Sequence, residues 1–184
     1  IRSCLVGSEM CIRDSRIYRI DAVLSGTLNY LFSTFGSECG FVESVKGAMD
    51  AGFTEPDPRI DLSGVDVQRK ILILAREAGY IMEMADVENP GFLPPALMEG
   101  SVADFLDKLP TAEEDMQTLL AQAASEGLQL RYVASFELNA SGEPKARVGL
   151  QALPPTHAFC QLQGSDNAVM LHTDRYVDRP LVIQ

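Results

Sequence analysis

The chain has 184 residues, of which 15 are basic and 26 acidic, giving a formal net charge of −11 and an isoelectric point near 4.5. That excess argues against nucleic acid or an anionic membrane as the main partner, since both are polyanions. Hydrophobic residues at 46% and charged residues at 22% are those of a folded globular domain rather than a disordered chain, and no run approaches the roughly 18 apolar residues of a membrane span.

The first fifteen residues, IRSCLVGSEMCIRDS, have no sustained apolar period and none of the layout of a secretory leader. They read as a leader foreign to the fold, so the organised domain is expected over residues 16–184. From Ile17 to Leu24 a β-prone run closes at Ser25-Gly26. Thr27 to Phe35 is apolar at helical spacing, and a second helix fits Val42 to Ala51, ended by Gly52. The stretch FTEPDPRIDLSG, residues 53–64, is stiffened at Glu55 and Asp57, because a residue before proline avoids the α region. A long helix follows, from Asp61 or Ser63 to Glu77, with Val67, Ile71, Leu74, Ala75 and Ala78 on one stripe and Ser63 with Asp66 as a capping box.

Prolines and glycines make residues 86–100 a connection. Ser101 caps a short helix to Leu109, and another helix spans Thr111 to Ser125, with three acids in its first turn where the helix dipole favours them. Residues 128–138 and 144–152 alternate as paired strands around Asn139-Ala-Ser-Gly142. A short helix near Thr156 to Cys160 precedes strands at 168–173 and 181–184, the last stopping abruptly. Helices first and strands later predict an α+β fold, a mixed or antiparallel sheet with helices covering one face.

Four cysteines, Cys4, Cys11, Cys39 and Cys160, lack zinc-ribbon spacing, and a domain of this size needs no disulfide scaffold. The expected setting is reducing and cytoplasmic. His157 and Cys160 have ligand spacing, but His172 is the one other histidine and no carboxylate motif accompanies them, so no metal site is expected.

Chemistry concentrates in residues 52–70, which hold Glu55, Asp57, Arg59, Asp61, Asp66, Arg69 and Lys70. Asp66 and Lys70, four apart, share a helix face beside the apolar stripe. A carboxylate on a stiff loop next to a carboxylate–lysine pair suits a small substrate with an ammonium and a hydroxyl: the acids take the ammonium and the lysine handles a proton. Two other readings stay open on the residues alone. Asp66 and Lys70 are an ordinary solvated pair contributing about 0.2–0.5 kcal/mol, or Glu55, Asp57, Asp61 and Asp66 hold a magnesium ion as in a carboxylate-metal hydrolase.

The segment GFTEPDPRIDLSGVDVQRKILILAREAG, residues 52–79, closely resembles the signature of homoserine dehydrogenases. VLSGTLNYLFSTF, residues 23–35, resembles the start of that family's substrate domain, and QLQGSDNAVMLHTDRYVDRPLVIQ, residues 161–184, is similar to the form fused to an aspartate kinase. The resemblance covers residues 16–184. It implies interconversion of L-homoserine and L-aspartate 4-semialdehyde with NADP or NAD, on the route to threonine and methionine. It implies Lys70 as acid/base, Glu55 and Asp66 as homoserine-binding carboxylates with Asp61 in the same pocket, Gly26 and Thr27 as the backbone turn beside substrate, and Gly52 as a glycine touching the cofactor. The family usually has two acids where this chain has Ile60-Asp61, and often Tyr in place of Phe53.

No G-x-G-x-x-G fingerprint follows a strand, so the nucleotide-binding domain is expected outside this sequence and the chain alone is expected to be inactive. The family also implies a homodimer or homotetramer joined through the uncovered sheet face. A rival reading is a non-catalytic amino-acid-binding or oligomerisation module.

Overall fold

The computed structural model describes residues 15–36, 39–176 and 178–184. Most of the fifteen-residue leader, with Cys4 and Cys11, lies outside the described residues. The strands are β1 (Ile17–Val23), β2 (Val87–Glu88), β3 (Gln129–Leu138), β4 (Pro144–Leu153), β5 (Ala168–Thr173) and β6 (Leu181–Ile183). The helices are α1 (Gly26–Thr34), α2 (Phe41–Asp50), α3 (Pro58–Leu62), α4 (Val65–Glu77), α5 (Val102–Lys108) and α6 (Glu113–Ser125).

The strands form one sheet in the order β2-β4-β3-β1-β5-β6, antiparallel except for β2 beside β4. The sheet is therefore mixed, as the sequence predicts. Alternation along each strand separates two faces. Ile20, Leu130, Tyr132, Ala134, Phe136, Ala146 and Val148 point to the helical layer, where they meet Leu28, Phe32, Phe41, Val67 and Ile71 in one core. The opposite face carries a smaller cluster of Val23, Val133 and Ala168 under Phe159 and Leu162. Beside that cluster the face carries a polar patch, where Arg19, Asp21, Ser135, Glu137, Arg147 and Gln151 line a cleft of about 370 Å³. Asp21 there pairs with Arg19 at 2.7 Å and lies 3.2 Å from His172 Nε2.

Several local expectations are corrected. The long helix begins at Val65, and residues 58–62 form the separate helix α3. Ser63 and Asp66 make no capping box; the Ser63 hydroxyl donates to the Ile60 carbonyl and accepts from the Val65 amide instead. The 86–100 connection contains the short strand β2, whose two residues are too few to show alternation. Helix α6 starts at Glu113 after a 3-10 turn over Leu109–Ala112. The short helix near Thr156 is a 3-10 turn over Ala158–Gln161, capped by His157.

Glu113 does more than favour its own helix. Its carboxylate accepts from the Phe41 and Val42 amides at 2.9 and 2.8 Å, supplying the N-terminal cap that Gly40 has no side chain to give. Burial opposes ionisation of Glu113, but the hydrogen bonds from Gln117, Val42 and Phe41 outweigh it and hold the carboxyl below the ordinary glutamate range. A lowered folded pKa contributes stability that is present above the unfolded value, about 4.3, and is lost as pH falls through the folded one. Glu113→Ala is expected to cost about 1 kcal/mol at pH 7, as for a lost cap. Urea titrations should show the gap to the parent narrowing below about pH 4, where the parent's carboxylate protonates.

Candidate functional site

The site is built where β1 ends and α1 begins. Ser25 caps α1 by accepting from the Leu28 amide at 3.2 Å, so the chain turns sharply after Leu24. Gly26 is required there for a steric reason. A Cβ on it would stand 2.8 Å from both Cβ and the carbonyl oxygen of Ser165, in the turn that Asn29 holds through the Gly164 carbonyl at 3.1 Å.

Helix α4 faces this turn. Val67, Ile71, Leu72 and Ala75 are buried, with Leu74 and Ala78 half-buried at the stripe's edge. Asp66 and Lys70 therefore fall on the rim, with side chains 56% and 46% exposed. Lys70 Nζ lies 2.7 Å from the Asp66 carboxylate and donates to the Leu24 carbonyl at 2.9 Å. The lysine bridges the end of β1 and the start of α4, with its charge balanced by one acid.

What fixes α4 along its axis is Gly64, its N-cap, in the left-handed region at φ 67°. A Cβ there would overlap the Tyr132 hydroxyl, which reaches across from β3. Burial pushes that phenol up to about 12, so it stays protonated and can donate towards Asn89. Asn89 in turn donates to the Ser63 carbonyl at 2.9 Å, and Gln68 donates to the Val87 carbonyl at 2.8 Å. The sequence reading missed this network, because its partners are mostly backbone carbonyls; the Leu-Ser-Gly turn was the available signal.

The acidic loop divides into two roles. Asp57 caps α3 and is gripped by Arg59 at 2.7 Å, and the guanidinium holds its carboxyl below the ordinary aspartate range. Arg59 also donates to the Met98 and Gly100 carbonyls at 3.2 and 2.7 Å, tying the loop to the 95–100 segment. Asp61 instead faces α1. Its Oδ1 lies 3.2 Å from the Thr27 hydroxyl, and its Oδ2 accepts from the Glu55 amide at 2.9 Å. Thr27 also donates to the Phe53 carbonyl. Glu55 is exposed, and Phe53 packs against Tyr30 with ring centroids 4.8 Å apart.

Thr27 and Asp61 thus meet, as do Lys70 and Asp66, and the loop carrying Glu55 is joined to the first pair. Asp57 and Arg59 form a separate clamp. Among the described residues, no group of three or more His, Cys, Asp or Glu side chains is arranged to hold a metal ion. Gly52 closes α2 at φ 71° with open space where a Cβ would stand.

These features define an α+β domain with an open mixed sheet and a lysine–carboxylate cluster at one end of its helical layer. The family model for homoserine dehydrogenase matches residues 6–184. A bifunctional aspartokinase/homoserine dehydrogenase of Zea mays is 42% identical over 171 residues, covering 92% of this chain and 18% of that protein. A homoserine dehydrogenase of Paracoccidioides brasiliensis is 39% identical over 186 residues, covering 96% of this chain and 49% of that one. Among solved structures, a Candida auris protein of unknown function is 36% identical with a TM-score of 0.86, covering 96% of this chain and 50% of that one. The homoserine dehydrogenase of Thiobacillus denitrificans shares the fold at a TM-score of 0.71 and 21% identity, covering 94% of this chain and 36% of that one. The chain belongs to the homoserine dehydrogenase family, and it spans about half or less of the length of these relatives.

Gly64→Ala is expected to destabilise the chain by about 1–3 kcal/mol, from the left-handed backbone and the contact with Tyr132 together. In thermal unfolding, adding Tyr132→Phe to Gly64→Ala should recover part of that loss, because only the steric share depends on the hydroxyl.

Proposed function

We propose that this chain is the substrate-handling domain of a homoserine dehydrogenase, interconverting L-homoserine and L-aspartate 4-semialdehyde in the supply of threonine and methionine. The observation that carries this reading is Lys70, held between the Asp66 carboxylate and the Leu24 carbonyl inside the 52–79 segment. Glu55 and Asp66 bind the substrate ammonium, with Asp61 behind them, and the turn at Gly26 and Thr27 offers backbone amides at the start of α1 to the substrate carboxylate.

The dinucleotide, NADP or NAD, is held mainly by a domain outside this sequence, and Gly52 is this chain's contribution to it. The open space at Gly52 fits that role, since backbone there can approach a ligand closely. When bound, the nicotinamide supplies the hydride to the aldehyde carbon, or takes it from the alcohol. In the reducing direction negative charge grows on the substrate oxygen, and the Lys70 ammonium stabilises it and donates the proton that completes the hydroxyl. Asp66, 2.7 Å from Nζ, holds that ammonium in place for the step. In the oxidising direction the Lys70 amine accepts the hydroxyl proton.

The assembly in this proposal is a homodimer or homotetramer. The polar patch of the sheet, with Arg19, Asp21, Glu137 and Arg147 arrayed across three strands, suits a second copy whose charges pair with it. The cytoplasmic setting and the inactivity of the chain without its cofactor domain belong to the same reading.

Lys70→Ala, made in the chain joined to its cofactor domain, is expected to lower kcat by about 10²–10⁴. The KM for L-homoserine should move much less, because the ammonium sites remain. Steady-state kinetics in both directions check this; equal damage to kcat and KM would count against the acid/base role.

A further inference from the structure

Resting on the reading of Glu55 as an ammonium ligand, we infer that Asp61 is a positioning residue, a strut that fixes the Glu55 loop against the N-terminus of α1. Its two carboxylate oxygens are already committed inside the protein, Oδ2 to the Glu55 amide and Oδ1 to the Thr27 hydroxyl. Those partners sit on two different elements. Thr27 lies in the first turn of α1, and Glu55 is on the loop between α2 and α3.

The Glu55 loop has few other ties. Glu55 and Pro56 are exposed, whereas Pro58, on the far side of Asp57, is buried at the start of α3. The Arg59 clamp holds the far end of the loop, towards Met98 and Gly100, and does not reach Glu55. The near end is held at Phe53, whose amide donates to the Ala48 carbonyl at 2.9 Å, whose ring packs on Tyr30 and whose carbonyl accepts from Thr27; two residues on, the Glu55 amide is held by Asp61. Asp61 is therefore the side chain that holds Glu55 itself, beyond the point where Phe53 fixes the chain.

The hydrogen count distinguishes this role from direct substrate binding. A threonine hydroxyl has one proton, and here two acceptors share it: the Phe53 carbonyl and Asp61 Oδ1. An asparagine fits the same position. Its carbonyl oxygen accepts from the Glu55 amide, its amide nitrogen donates to Thr27 Oγ1, and the Thr27 proton goes wholly to Phe53. The strut thus needs the shape and hydrogen bonds of residue 61, not its charge. A carboxylate that bound the ammonium directly would need the charge.

The test uses the enzyme joined to its cofactor domain, with Asp61→Asn, Asp61→Ala, Glu55→Gln and the doubles of Glu55→Gln with each. Asp61→Ala should raise the KM for L-homoserine about tenfold, the scale of one lost hydrogen bond to a charged group, while kcat changes less because Lys70 is held separately. Asp61→Asn should stay within about threefold of the parent, on the scale of a neutral hydrogen bond. Adding Asp61→Ala to Glu55→Gln should cost little more than Glu55→Gln alone, because the strut acts through Glu55. Asp61→Asn as damaging as Asp61→Ala, or Asp61→Ala equal to the parent, would overturn the inference. If Asp61→Ala fails to fold, Asp61→Asn decides: a KM near the parent's supports the strut, and a tenfold rise refutes it. Glu55→Gln with unchanged KM would instead show that Glu55 is no ammonium ligand, a failure of the underlying reading.

Discussion

The rotational setting of helix α4 governs the rest of this structure. To bury Val67, Ile71 and Ala75 against the sheet, the helix has one face available, and that choice leaves Asp66 and Lys70 on the rim. Burial of a full apolar side chain is worth about 1.5–3 kcal/mol. A rotation that reversed the faces would expose all three and turn the charged Asp66–Lys70 pair into the core, where desolvation is costly. The hydrophobic stripe therefore aims the lysine. Gly64 against Tyr132 then fixes how far along the helix that lysine stands, and the Leu24 carbonyl receives it at the end of β1.

The cluster is open in this chain, with Lys70 and Asp66 about half exposed. A surface ion pair of that kind contributes about 0–1 kcal/mol to stability, so it cannot be what holds the fold together. Stabilising a developing charge works far better where water is excluded. In the proposed enzyme, covering this end of the sheet with the cofactor domain raises the value of the same lysine without moving it. The fold supplies position, and the covering surface supplies the low dielectric.

The regular elements were legible in the sequence because their burial is periodic. The α4 stripe follows directly from which side chains meet the core, whereas in β3 residues 130–134 are all buried, because Phe159 and Leu162 cover the second face there. The pairing of Asp66 with Lys70 was legible for the same reason, since residues four apart on a helix must be neighbours. Features that depend on backbone partners distant in sequence were not. The bidentate cap from Glu113 spans more than 70 residues, and Arg59 grips carbonyls about 40 residues away. Asp61 was readable as an acid near the site, but its bond to the Glu55 amide leaves no mark on residue type or spacing. The capping-box pattern at Ser63 misled because the left-handed Gly64 already begins the helix.

The central claim is that Lys70 meets the substrate oxygen while the neighbouring carboxylates meet its ammonium. The most direct measurement is a crystal structure, with L-homoserine bound, of this chain joined to its cofactor domain. The account predicts the substrate hydroxyl within hydrogen-bond distance of Lys70 Nζ and the ammonium beside Glu55 and Asp66. A bound homoserine whose hydroxyl points away from Lys70, or one seated elsewhere on the domain, would contradict it.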